Sequence, residues 1–378
     1  AKGGEETASG VAPARPPGTA KGGEETASGV APARPPGAAK GGEETASGVA
    51  PVFLTGATGL LGAHLARALG RARVPLRVLV RARTDQEAHA RLEELGIVAT
   101  PVVGDLADHA LLAAEAAAAS MVVHLAASLR IDANMDALYT ENVAPLAPLL
   151  ASGTKLVFAS SLAVLAFSTL VGGGMSLDPT HSVEDAGIFG GYAQSKALGE
   201  AWCAGHPQAH VIRIGLVVAD DKDLPSGRCP LRALTAALHL LGMRPSGHFL
   251  GAAFDAVPLG AVVEALLACV HPAQDAPPKA VYAATPATVD DLYAAFEAAG
   301  RPLTIVPPEE FRNAIYRSPL LPLERRAALE LLRVSDRDSA LNIDSNILFR
   351  LTARRFDPSF GVPNDPRQTL LRLVTAVA

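Results

Sequence analysis

The chain has 378 residues, 49% of them hydrophobic and 19% charged, with a net charge of −5. That is enough apolar material for one large folded domain or two ordinary ones, and it excludes disorder throughout. The slight acidity offers no basic field for nucleic acid or anionic lipid, and 4% aromatics argue against a stacking surface for single strands.

Residues 1–50 stand apart. The unit AKGGEETASGVAPARPPG begins at Ala1, again at Ala20, and a third copy starts at Ala39, a period of 19 residues. The tract has no Leu, Ile, Met, Phe, Tyr or Trp, so it has nothing to bury against its ordering entropy. It reads as a disordered repeat linker, with a coil span of about 40 Å.

From Pro51 the pattern changes. Val52–Thr55 is a short apolar run, GATGLLG follows, and Ala63–Leu69 is amphipathic: strand, tight turn, helix. Further strands are predicted at Leu76–Val80, Val98–Val103, Met121–Leu125, Leu156–Ser160 and Val211–Val217. Helices are predicted at Glu87–Leu95, Asp108–Ala118 and Tyr139–Leu150. Strands alternating with helices imply an α/β fold with a doubly wound parallel sheet. Asp220–His248 interrupts this pattern, Ala280–Ala283 reads as a strand returning to the sheet, and a helix-rich stretch runs on to Ala378.

Cys203, Cys229 and Cys269 have no CxxC spacing and read as reduced core thiols of a cytoplasmic protein. No secretory signal is evident at Ala1. The uncharged stretch between Lys155 and Asp178 is broken by Ser160, Ser161, Ser168, Thr169 and Gly172–Gly174. It is too short and too polar for a span of about 20 residues, so no membrane partner is expected. The ten histidines show no metal spacing. His64 and His124 read as packing or backbone-bonded residues, and no metal is expected.

Gly56, Gly59 and Gly62 have GxxGxxG spacing between strand and helix. The first permits the tight turn, the second lets backbone approach a pyrophosphate, and the third lets helix pack on sheet. The helix amino end then offers free N–H groups to phosphate. After the second strand an NAD site usually carries an acid. Here the sequence is LVRAR, with Arg81 and Arg83. A guanidinium forks onto a 2′-phosphate, so NADPH is the expected cofactor. Tyr192 and Lys196, in YAQSK, lie one turn apart on a helix. A neighbouring ammonium would bring the phenol nearer working pH.

TGATGLLG, the GDL at Gly104–Leu106, HLAA at His124–Ala127 and YAQSK occur in this order. The chain thereby resembles the extended short-chain dehydrogenases/reductases, from about Pro51 onward. The resemblance implies a Rossmann-like fold and a Ser161, Tyr192, Lys196 triad, with Ser160 a structural neighbour. It implies cofactor contacts from Thr58, Leu60 and Leu61 beside the three glycines. Asp105 and Leu106 would lie near the adenine, and Ala126 and Ala127 would line the same nucleotide. Asn142 would be tied to Lys196 through water; its alternative is an ordinary helix-surface residue. Lys196 would bind the nicotinamide ribose and depress the Tyr192 pKa.

Within that family, GGYAQSKALGE at Gly190–Glu200, LGMRP at Leu241–Pro245 and FDAVPLGAV at Phe254–Val262 are similar to thioester reductase domains. Those domains end nonribosomal peptide synthetases, polyketide synthases and carboxylic acid reductases. Ala197, Arg213-Ile214-Gly215 and Gly260 depart from their pattern. This likeness implies NADPH-dependent reduction of an acyl or peptidyl thioester carried on the phosphopantetheine of a carrier protein. The expected division is 51–218 with 250–285 for the nucleotide, and 219–249 with 286–378 as a smaller, mostly helical substrate cap. Phe311, Tyr316, Phe349 and Phe356 would form cap core or, less favoured, line an acyl pocket. Two other readings share the fold: a free-standing ketone or aldehyde reductase of the dihydroflavonol or hydroxysteroid type, and a nucleotide-sensing protein. Tyr192 and Lys196 count against the last.

Overall fold

Val52, Phe53, Leu54 and Thr55 are all buried, as expected of a strand covered on both faces. In the computed structural model they form β1 (Val52–Thr55). The structure describes residues 49–130, 133–165, 190–219, 229–246, 253–271, 277–333 and 361–377. Phe349, Phe356 and residues 1–48 lie outside them.

β1 is followed by α1 (Leu60–Arg71), β2 (Leu76–Val80), α2 (Asp85–Glu94), β3 (Thr100–Val103), α3 (His109–Ala118) and β4 (Met121–His124). Then come α4 (Met135–Asn142), α5 (Leu146–Ala151), β5 (Leu156–Ser161), α6 (Gly191–Ala204), β6 (Ala209–Ile214) and β7 (Val217–Val218). Next are α7 (Pro230–Leu241), β8 (Met243–Pro245), β9 (Ala253–Phe254), β10 (Val257–Pro258), α8 (Leu259–Val270) and β11 (Ala280–Val281). The last described elements are β12 (Ala287–Thr288), α9 (Val289–Ala298), β13 (Thr304–Val306), α10 (Pro308–Arg317), α11 (Pro322–Arg333) and α12 (Pro366–Ala376).

Seven strands form one sheet in the order β11-β6-β5-β4-β1-β2-β3, and every neighbouring pair is parallel. The doubly wound sheet is therefore present, and β11 is the returning strand. Strand order reverses between β1 and β4, where such folds place ligands. The period of two distributes side chains to both faces. Val52 and Leu54 join a core with Leu65, Leu69, Val262 and Leu266. Phe53 joins Leu112, Leu146, Leu149 and Phe158 in another. A third core unites Leu234 and Leu238 of α7 with Phe254, Phe296, Phe311 and Leu370.

Three local expectations are revised. The helix read over Tyr139–Leu150 is two helices, because Pro145 cannot donate into a continuing helix and takes the N-cap of α5. The strand read over Val211–Val217 ends at Ile214 and resumes at Val217. At the break, a Cβ at Gly215 would stand 1.5 Å from Asp255 Oδ2, so glycine lets the chain pass against that carboxylate. The interrupted stretch after Asp220 contains α7, closed by Gly242 in the left-handed region at φ +60°. Among the described residues no helix is long and apolar enough to cross a membrane.

Candidate active site

The glycine turn leads from β1 into α1. Gly56 has φ +77°, and a Cβ there would lie 2.7 Å from the Ala126 amide nitrogen. A Cβ on Gly62 would lie 2.1 Å from the Gly56 carbonyl oxygen. Glycine is thus required twice, once for backbone conformation and once for close approach. Gly59 caps α1 without any side-chain hydrogen bond, which leaves the first-turn amides to a ligand or solvent. Gly59 is exposed, and Thr58, Leu60 and Leu61 are half-buried beside it. This cradle fits a pyrophosphate.

The loop after β4 packs on this turn. Ala126 donates its N–H to Thr55 Oγ1 at 3.3 Å, and the half-buried Ala127 follows. Arg81, at the end of β2, is exposed and pairs through Nε with Asp105 Oδ2 at 2.7 Å. Arg83, just before α2, instead pairs with Glu87 of that helix. Leu106 is half-buried against the core beneath. Arg81 and Asp105 thus meet where β2 and β3 end, and an adenosine phosphate there would compete for the guanidinium.

The second cluster lies between β5 and α6. Gly191 and Gly199 let the helix approach closely: a Cβ on Gly199 would sit 2.6 Å from the Phe158 ring. The Ser161 side chain acts on the Tyr192 phenol and favours its ionised form. Tyr192 keeps some exposed surface, but its hydroxyl is desolvated, which pushes the phenol up to about 12 against the opposing pull of Ser161. Lys196 is buried. Its Nζ donates to the Ala159 carbonyl at 2.7 Å and lies 4.8 Å from the Phe158 ring centroid. Burial lowers it to about 8, while Glu200 and Cys203 pull upward.

Ser161, Tyr192 and Lys196 are therefore gathered, but one expected coupling is corrected. The Lys196 ammonium is held by the strand carbonyl, and desolvation dominates the phenol instead. Asn142 is likewise not on a helix surface. It is 1% exposed; its Nδ2 donates to Ser195 Oγ at 3.0 Å and to the Ser128 carbonyl at 3.1 Å, and its Oδ1 accepts from Ser128 N–H at 2.7 Å. It ties the loop after β4 to α6, one residue away from Lys196.

The two clusters meet along a row of paired residues: Thr55 opposite His124, and His124 opposite Phe158. His124 Nδ1 lies 2.7 Å from Thr55 Oγ1, and its ring stacks on Phe158. Burial, with a smaller push from Lys196, holds His124 neutral with a pKa of about 3. His64 is backbone-bonded to Leu60, whereas His124 is bonded through a side chain. Phe311 is core and Tyr316 is a surface residue.

Sequence reasoning missed three polar residues. Glu200 accepts from Ser160 Oγ and pairs with Arg213 at 2.7 Å, both partners almost buried. Their signals were an acid four residues after Lys196 and a cation inside an apolar strand. Asp255 accepts from Ala283 N–H, and its Oδ2 is buried without a hydrogen-bond partner. Desolvation raises it to about 7, with the Ala283 and Leu216 amides opposing. Among the described residues no group of His, Cys, Asp or Glu is arranged to hold a metal ion, and all three cysteines are buried and free.

The sequence model of the male sterility protein family, an NAD-binding family, matches residues 54–266, more than half of the chain. The chain belongs to this family. It is an extended short-chain dehydrogenase/reductase, and its cofactor class is a nicotinamide nucleotide. No curated protein sequence matches the chain. The terminal reductase domain of the myxalamid polyketide–nonribosomal peptide pathway superposes with TM-score 0.60 at 20% identity, over 78% of this chain and 81% of that one. A thiolation-reductase di-domain of an archaeal nonribosomal peptide synthetase gives 0.61 at 16%, over 87% and 75%. The UDP-glucose 4-epimerase of Bifidobacterium longum, solved with NAD+ and UDP, gives 0.51 at 16%, over 74% and 96%. At such identities the likeness establishes the fold.

Proposed function

We propose that the chain reduces an acyl or peptidyl thioester, carried on the phosphopantetheine arm of a carrier protein, to an aldehyde, and by a second round to the alcohol. The observation that carries this reading is the Ser161–Tyr192 hydroxyl pair beside the buried Lys196, in a chain of this family. A bound reduced nicotinamide supplies the hydride. With a pKa near 12, Tyr192 keeps its proton at neutral pH and can give it to the carbonyl oxygen as negative charge develops there. Ser161 hydrogen-bonds the same oxygen, an interaction strongest in the transition state. Hydride at carbon and proton at oxygen give a hemithioacetal, and breaking its C–S bond yields aldehyde and free thiol.

NADPH is the expected form because Arg81 exchanges its exposed partner Asp105 for a 2′-phosphate. Gly56, Gly59 and Gly62, with Thr58, Leu60 and Leu61, hold the pyrophosphate. Lys196 and Asn142 stand on the ribose side. In this reading residues 51–218 with 250–285 hold the nucleotide, and 219–249 with 286–378 cover the acyl group. Residues 1–50 act as a linker that raises the local concentration of a tethered carrier. The setting is cytoplasmic.

The test is NADPH consumption with an acyl-carrier thioester, a small acyl thioester and a panel of ketones. Turnover of the carrier thioester is expected. Turnover of ketones alone would make the protein a free-standing carbonyl reductase, and cofactor binding without turnover would make it a sensor.

A further inference from the structure

We propose that Glu200, clamped by Arg213, is a positioning residue of the active site: through Ser160 it holds the end of β5 in register with α6. The thioester reading enters only through the substrate used to measure turnover. Tyr192, Lys196 and Glu200 recur every four residues on one helix, so they share a face. They meet three consecutive strand residues. Lys196 donates to the Ala159 carbonyl, Glu200 accepts from the Ser160 hydroxyl, and Tyr192 is acted on by the Ser161 hydroxyl. Arg213 stands opposite Ser160 across the strand pair and grips Glu200 through Nε at 3.0 Å and a second guanidinium nitrogen at 2.7 Å.

Two bonds at one carboxylate fix its orientation more firmly than a point charge does. A slip at Ser160 would carry Ser161 away from Tyr192 and Ala159 away from Lys196. The titratable groups that act on Lys196 are Glu200 and Cys203 from its own helix and His124 from β4, with Arg213 of β6 behind Glu200. His124 is neutral and the Cys203 thiol is pushed up to about 12 by burial. Glu200 is therefore the carboxylate that favours the charged lysine.

The chain has seven lysines, so carbon-13 labelling at the lysine ε position gives a resolvable NMR titration of the unliganded full chain. The Lys196 signal is assigned by its loss in Lys196→Met. In wild type Lys196 should titrate near 8. Glu200→Gln should lower that midpoint by about one pH unit and slow turnover by about tenfold to a hundredfold at saturating cofactor, with cofactor affinity unchanged. Glu200→Asp should restore the midpoint but only part of the turnover, because the shorter side chain keeps the charge and loses Ser160. A folded Glu200→Gln with an unmoved Lys196 midpoint would overturn the proposal. If Glu200→Gln does not fold, Ser160→Ala decides: a lower kcat at unchanged KM supports it, and wild-type kcat overturns it. A wild type inert to thioesters would refute the functional reading and leave the NMR arm intact.

Discussion

At the glycine turn the contacts run from backbone to backbone: Gly56 lies on Ala126, and Gly62 lies on Gly56. At α6 they run between buried polar side chains, with Lys196 on the Ala159 carbonyl and Glu200 shared by Ser160 and Arg213. In the proposed reading the first end meets its ligand with backbone amides, and its close contacts should tolerate changed charge better than added volume. The second tolerates little change of charge, since its ionisable groups are desolvated and an unpaired buried charge is expensive. On the proposed reading, backbone defines where the cofactor sits, and buried side chains define what happens there.

Four perturbations sharpen that contrast. The largest effect is expected from Asp255, which belongs to the buried-polar class. Its folded pKa of about 7 exceeds the ordinary 3.8, so the folded state binds the extra proton between those values. Stability should fall as pH rises through that window, by on the order of 4 kcal/mol, and stay level above it. Urea unfolding should show Asp255→Asn gaining on wild type from about pH 4 to about pH 7. A constant difference would mean that the carboxylate is solvated.

Tyr192→Phe keeps the ring and removes the donor. Turnover should drop at least about a hundredfold, with cofactor affinity unchanged in a fluorescence titration. Next comes Gly62→Ala, whose methyl collides with the Gly56 carbonyl. It should lower stability by about 1–3 kcal/mol and weaken both nicotinamide cofactors alike. Full cofactor affinity in that variant would show that the turn relaxes freely. The smallest effect is expected at the exposed Arg81. Arg81→Ala should weaken NADPH by about tenfold, or 1.4 kcal/mol, and leave NADH nearly unchanged. Equal effects on both would remove it from the 2′-phosphate site.

Much of this architecture was legible in the residues because its determinants are local. Val52–Thr55 is an apolar run and Leu76–Val80 is mostly apolar, and their ends agree with the observed strands. The glycine turn and the Tyr192–Lys196 spacing are read within a few residues. Pairings across the fold were not legible. Nothing near Glu200 names Arg213 of the neighbouring strand, and nothing near Gly215 names Asp255. The correction at Lys196 has the same origin. Helical spacing places it beside Tyr192, but the Ala159 carbonyl that holds it comes from β5. In α7 the apolar residues Leu231, Leu234 and Leu238 have helical spacing, but the prolines and glycines on either side signal a loop.

The central claim is that the Ser161–Tyr192 pair serves reductive cleavage of a thioester. The most direct measurement follows thiol release and NADPH oxidation together, with an acyl thioester on a phosphopantetheine arm, in wild type and Tyr192→Phe. The account predicts one NADPH consumed for each thiol released, or two where the aldehyde goes on to the alcohol, and that both fall together in the variant. NADPH oxidation without thiol, or thiol release that proceeds without NADPH and survives the loss of Tyr192, would contradict it.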